Sequence, residues 1–222
     1  MPRKIREKKT TVGFLDSPYI DREYWLHRAE ILKRAQTFPR MKKKIPLVVE
    51  ATKPVKEFAG MFPNTEQGIR NMLNKMLSTI QFVREKPSIA EVHYMLQTAH
   101  DIFVTKKIPV PVKNGQPLWG CNAMCIAFSA CLRAKRIPYK FVRTVARWQQ
   151  DYEGRLHSVV MFRLGNRTFI ADPFPGQTIM QQVGETLGKQ IELLKSKGIW
   201  KEGRSPEEIG IVTADNLERF SF

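Results

Sequence analysis

Three residues, Cys121, His157 and Asp172, have the types and the order to do chemistry together. A thiol that opens a helix, followed by a histidine and an aspartate on neighbouring strands, makes an activated cysteine nucleophile. The imidazole takes the thiol proton and the carboxylate holds the imidazole. Everything else in the chain can be read by how it positions these groups.

The cysteine comes first. Between Cys121 and Leu132 only Asn122 and Ser129 are polar, if cysteines count as small apolar residues. A helix apolar all round is a buried one. Gly120 is a poor helix former and marks the break before it. Cys121 then falls in the first turn, where free N–H groups and the positive end of the helix dipole favour a thiolate. Arg133, Lys135 and Arg136 suit the far end of the dipole, and Pro138 forbids continuation. Cysteine is also often just a small buried hydrophobe, and that reading serves for Cys125 and Cys131.

The histidine and aspartate sit on a hairpin. Arg155 to Leu164 alternates, with Leu156, Ser158, Val160, Phe162 and Leu164 on one face and His157, Val159, Met161 and Arg163 on the other. Gly165-Asn166 is a two-residue turn signal, and Arg167 to Asp172 has the composition of a strand. If Leu164 pairs with Arg167, Val159 lies opposite Asp172, and Asp172 becomes the diagonal neighbour of His157. Diagonal Cβ atoms are roughly 7–8 Å apart or a little less, a gap that an imidazole and a carboxylate can close. A lone strand histidine is usually structural; one with an aspartate in register and a helix-opening cysteine upstream is better read as functional.

Cys121, Arg133 twelve residues on, Ile137-Pro138, a strand, His157-Ser158-Val159 and Asp172-Pro173 together resemble the core of the transglutaminase-like superfamily of papain-like cysteine enzymes. The match covers about a quarter of the chain by order and spacing. The resemblance implies an α+β fold, in which the helix carrying the cysteine packs on an antiparallel sheet carrying the histidine and aspartate, with helices ahead of it. It implies Cys121 as nucleophile, His157 as general base and then acid, and Asp172 as the orienting carboxylate. Two positions depart from the pattern: Trp119 stands where the family has glycine, and Val159 follows Ser158 where an aromatic is common. Papain-like enzymes also place a side-chain donor upstream of the nucleophile to hold the oxyanion, which makes Gln116 a candidate and Trp119, through its indole N–H, another. Such a donor is worth ~10²–10³ in rate.

The remaining elements follow in order. Residues 1–20 read as a flexible basic arm, with Arg3, Lys4, Arg6, Lys8 and Lys9. Residues 21–63 form a helical extension, with a helix from Asp21 to Gln36 and a second basic cluster from Arg40 to Lys44. Residues 64–222 make the catalytic domain. Within it, apolar residues at helical spacing predict one long helix from Asn64 to Glu85, capped by Asn64. Ser88 and Glu91 predict a capping box for a helix to about Val104. His93 and His100 lie on that helix with no further ligands at metal spacing, so they are ordinary histidines and no metal or other cofactor is expected. Ile108 to Gly120 is a Pro- and Gly-containing connection. After Pro173-Phe174-Pro175-Gly176, a helix from Val183 to Lys197 stops at Gly198. Ser205-Pro206-Glu207-Glu208 starts another, and Ala214 to Phe220 adds a last turn or two. This tail either lies over the cleft or completes the sheet.

Composition bounds the partners. The chain has 222 residues and 42% hydrophobic residues, enough for a real core. No apolar run approaches the ~20 residues of a membrane span, and no apolar segment follows the basic start as in a signal peptide. Three cysteines in one helix are poorly placed to pair, which points to a reduced, cytoplasmic protein. The net charge is +16, and residues 1–60, with 15 Lys/Arg against 7 Asp/Glu, carry half of it. A solvated basic surface explains this, and weak attraction to a polyanion is the alternative; no aromatic stacking pattern marks a nucleic-acid fold.

The expected function is cysteine-dependent acyl transfer to water, hydrolysing a peptide or related amide, since no acceptor-binding domain is evident. Transfer to an amine is the alternative, and a silent transglutaminase-like fold used as a basic docking module is the rival from another class. If the basic clusters bind polyanions, retention of the protein on a polyanion column should fall with salt and disappear when residues 1–44 are deleted. Retention that survives the deletion would assign it to another surface.

Overall fold

The computed structural model describes residues 48–85, 97–110, 112–113, 116–117, 120–146, 156–174 and 179–209. The basic arm, the helix expected at Asp21–Gln36, the cluster at Arg40–Lys44, the capping box at Ser88 and Glu91, His93, and Ala214–Phe220 lie outside these residues.

The fold is α+β. Its centre is a five-stranded antiparallel sheet formed by β5 (Tyr139–Val145), β6 (Leu156–Leu164), β7 (Arg167–Asp172), β8 (Ile179–Gln182) and β9 (Lys201–Gly203), in the order β8-β7-β6-β5-β9. Ahead of it come α1 (Lys53–Gly60), α2 (Glu66–Thr79), β1 (Gln81–Arg84), α3 (Ala99–Thr105), β2 (Lys107–Val110), β3 (Val112–Lys113), β4 (Gln116–Pro117) and α4 (Cys121–Ala134). Helix α5 (Glu185–Ser196) lies between β8 and β9.

The sheet is covered on both faces. On one, Val160, Phe162, Phe169 and Ala171 pack with Phe128 and the rest of α4, and α1, α2 and α3 extend the same core. On the other, Val142, Val159 and Ile170 meet Ile191 and Leu194 of α5, with Trp200. This is the two-residue alternation expected of Leu156–Leu164, with both faces apolar where the sheet is covered.

Helix α4 is buried along its length because its sequence has no polar face: from Cys121 to Leu132 every residue but Asn122 is buried. Its exit is a Schellman motif. Arg136 takes the left-handed conformation at φ 56°, its N–H bonds the Arg133 carbonyl at 3.0 Å, and the Ile137 N–H bonds the Leu132 carbonyl at 2.9 Å. The basic residues expected to serve the end of this helix reach further. The Lys135 ammonium donates to the Ala59 and Phe62 carbonyls at the end of α1, and Arg133 donates to the Val49 carbonyl. Val55, Phe58 and Ala59 of α1 share the core of α4.

Several expectations need correction. The long helix from Asn64 to Glu85 is two elements. Helix α2 is capped by Thr65, whose Oγ1 accepts from the Gly68 N–H at 3.1 Å, and it ends at Thr79. Ile80 turns extended, and Gln81–Arg84 pair in parallel with Lys107–Val110. Ile80 and Val83 fit a helical stripe by spacing, but β-branched and aromatic residues such as Phe82 and Val83 suit a strand once a partner is present. Helix α3 starts at Ala99 on a capping box of its own, with Thr98 and Asp101 bonding each other's backbone N–H groups. The helix drawn from Val183 begins at Glu185, after the short strand β8. It stops at Gly198, φ 68°, as expected. The tail completes the sheet through β8 and β9, both too short and too polar to show a period. Among the described residues no helix is long and apolar enough to cross a membrane.

Phe128 is the hub of the shared core. It is fully buried and meets Phe162 edge-on at 5.9 Å, and Phe162 stacks on Phe169 at 5.5 Å. Phe128→Ala is expected to destabilise the fold by about 3–5 kcal/mol, read as a lower urea midpoint.

Candidate active site

Cys121 is the first residue of α4, and the residue before it explains why the helix can start there. Gly120 has φ 148°, a conformation that suits glycine. A Cβ at that position would also overlap the Phe82 ring, which β1 holds against the helix start. The thiol is buried at the end of the helix that carries the positive dipole.

His157 and Asp172 come from the hairpin, in the register expected. Leu164 pairs with Arg167, and the ladder runs through Phe162↔Phe169 to its last pair, Val160↔Ala171. The turn is led by Gly165 at φ 59°, the position where a two-residue turn of type II′ needs positive φ. Beyond the last pair β6 stays with β5, Thr144 opposite His157, and β7 stays with β8, Asp172 opposite Ile179. The two strands thus part where the candidate residues lie. This opening lets a thiol from the helix on one face meet an imidazole whose neighbours in alternation belong to the other.

The contacts are specific. His157 Nε2 lies 2.6 Å from Asp172 Oδ2, with His157 6% and Asp172 4% exposed. The other carboxylate oxygen, Oδ1, accepts the Phe174 N–H at 3.1 Å, so the carboxylate is held at both ends. With Nε2 engaged, Nδ1 is the ring nitrogen left for the thiol of Cys121. The Phe174 ring stands edge-on to the imidazole at 6.1 Å, and Phe82 packs on Phe174 at 5.8 Å. These two aromatics wall the site on the side of β1.

The environment separates the three free thiols. Burial pushes the Cys121 thiol up, but its hydrogen bond to His157 and the charge of the imidazolium outweigh this and leave it below the ordinary thiol value. Burial works against a charged His157 as well. The bonds to Asp172 and then to Cys121 prevail, and its value is raised to about 10. Both shifts favour a thiolate–imidazolium pair. Burial pushes Cys125 well up, with the charges of Cys121 and Asp172 adding to it, and burial also pushes Cys131 up.

The Gln116 backbone pairs with Lys113 in the small β3–β4 hairpin; its side chain and Trp119 lie outside the described residues. His100 Nδ1 contacts Thr52 Oγ1 at 3.2 Å. Among the described residues no group of three or more His, Cys, Asp or Glu side chains is placed to hold a metal ion. Sequence reasoning overlooked Phe82, because it lay in a stretch read as helix. It also passed over Asn122 and Ser158, although Asn122 stood out as a polar residue in an apolar helix.

No protein-family model matches the chain, and no curated protein matches it. Among solved structures it is similar to a candidate cysteine protease from Cytophaga hutchinsonii, at 12% identity and a TM-score of 0.44, over 81% of this chain and 54% of that one. It is also similar to a TGase, at 8% identity and a TM-score of 0.31, over 77% of this chain and 37% of that one. The chain thus spans about half the length of the first and less of the second. Likenesses of this size bear on neither activity nor substrate.

The thiolate fraction of Cys121 should fall only as pH drops through a value below the ordinary thiol pKa of about 8.5. Alkylation at Cys121, followed by mass spectrometry against pH, is expected to show a midpoint below that value. Cys125 and Cys131 should stay unlabelled across the same range until the protein is unfolded.

Proposed function

We propose that this protein is a transglutaminase-like cysteine enzyme that transfers an acyl group from a peptide or related amide through a thioester at Cys121. The observation that supports this reading is a buried imidazole held by a buried carboxylate, with Nε2 and Oδ2 at 2.6 Å, beside a buried thiol that the imidazole makes easier to ionise. Cys121 is the nucleophile, His157 the base and then the acid, and Asp172 the group that holds the ring.

In this mechanism the thiolate attacks the carbonyl carbon and forms a C–S bond. The oxyanion collapses, the C–N bond breaks, and the amine leaves with the proton that His157 carries. Water, deprotonated by the same imidazole, then attacks the thioester and frees the thiol and the acid. An amine that reaches the thioester ahead of water gives transfer instead. Hydrolysis is the reading favoured here, with Gln116 or Trp119 as the proposed oxyanion donor beside the Cys121 N–H.

The test uses a thiol-directed activity probe and a panel of ester and amide substrates, with and without a primary amine. Cys121→Ala should abolish probe labelling and turnover. His157→Ala should slow labelling at neutral pH by at least ~10-fold, because the thiol loses the partner that offsets its burial. Asp172→Asn should keep the fold but lower turnover by ~10²–10⁴, since an amide N–H facing Nε2 imposes the wrong tautomer. Product carrying the added amine would establish transfer over hydrolysis. Three equally sluggish thiols, indifferent to His157→Ala, would overturn the enzyme reading and favour a docking module.

A further inference from the structure

The ladder between β6 and β7 stops one step before a hydrogen bond that a proline cannot make. In a two-residue hairpin the pair flanking the turn exchanges both backbone bonds, and the exchange recurs at every second pair. Here that series is Leu164↔Arg167, Phe162↔Phe169 and Val160↔Ala171. The next pair in it is Ser158 with Pro173, and proline has no N–H to donate. The Ser158 backbone is left facing the opening.

The start of α4 fills that opening with two bonds to this one residue. The Cys125 thiol donates to the Ser158 carbonyl at 3.2 Å. The Ser158 hydroxyl donates to Asn122 Oδ1 at 2.5 Å, and that oxygen lies 4.0 Å from the Cys121 sulfur. Ser158 is 3% exposed, so water does not compete for these groups. It is also the residue next to His157, which ties the helix that carries the thiol to the strand that carries the imidazole.

We infer that Ser158 and Asn122 are positioning residues that set the approach of the Cys121 thiol to His157, at a docking point that Pro173 leaves open on β6. The inference rests on reading Cys121 as the nucleophile. Neither residue takes part in bond making; each acts through the distance it fixes. The titratable groups that bear on the Cys121 thiol are His157, Asp172 and Cys125, and neither substitution below changes any of them.

The experiment measures iodoacetamide labelling at Cys121 of the full chain between about pH 5 and 10, a span covering the ordinary histidine and thiol values. The proteins compared are the wild type, Asn122→Ala, Ser158→Ala, the double variant and Ser158→Thr. Each alanine variant is expected to move the labelling midpoint upward and to slow labelling at neutral pH by roughly 3- to 10-fold, the range of one neutral hydrogen bond. The double variant should be no slower than the worse single one, because both remove the same bond. Ser158→Thr keeps the hydroxyl and should restore the wild-type profile. Unchanged midpoints in the alanine variants, or multiplicative single effects, would overturn the inference while leaving the nucleophile in place. So would a loss that follows only the fraction of unfolded protein, monitored by circular dichroism. A wild-type Cys121 no faster than an unfolded thiol would overturn the proposed function, and this inference with it.

Discussion

A carboxylate buried to the extent of Asp172 has to be partnered, and that requirement organises this end of the molecule. An unpaired buried charge costs far more than a hydrogen bond returns, so each carboxylate oxygen needs a donor. Oδ2 has the imidazole of His157 and Oδ1 has the backbone N–H of Phe174. The imidazole is buried too and has one nitrogen left to satisfy. A thiol that gives up its proton is the partner that leaves both members charged and bonded. The chemistry assigned to Cys121 and the stability of the buried cluster therefore rest on the same contacts.

The sheet is built unevenly to allow this. At the turn end β6 and β7 are paired in full, and Phe162 and Phe169 stack against the core beneath α4. At the other end the ladder stops, and a backbone carbonyl that would have gone to a strand accepts from the Cys125 thiol instead. Buried backbone N–H and C=O groups must find partners, so an opening in a sheet is tolerated only where something else fills it. The first turn of α4 does so. Its last turn is secured through Arg133 and Lys135, which spend their donors on carbonyls at Val49, Ala59 and Phe62. Some of the chain's excess positive charge is thus part of the architecture.

The three cysteines share one helix and one covalent chemistry, yet their surroundings set them apart. Cys125 is one turn from Cys121 and meets the same residue of β6, but it donates its proton to a carbonyl and faces no cation. Cys131 lies deeper among apolar side chains, with Lys135 and Lys106 offsetting little of the cost of burial. Only Cys121 has an imidazole beside it. Position along the dipole and the identity of the facing strand residue separate Cys121, the proposed nucleophile, from Cys125 and Cys131.

What could be determined from the sequence was local. The apolar run from Cys121 to Leu132 required a buried helix. The Gly165-Asn166 turn placed His157 diagonal to Asp172, because a two-residue loop leaves one register. Gly198 stopped α5 as its freedom at positive φ allows. What tertiary structure alone decided was non-local. Ile80 and Val83 satisfied a helical period and a strand propensity at once, and the parallel partner at Lys107–Val110 chose between them. Strands β8 and β9 were too short to carry a pattern and exist because the sheet offers its edges. The bonds that Ser158 makes with Asn122 and the Cys125 sulfur depend on a donor missing at Pro173 and a helix arriving from 33 residues upstream. Periodicity and turn chemistry act over a few residues, whereas a hydrogen bond left open in one strand is filled by whatever the fold brings to it.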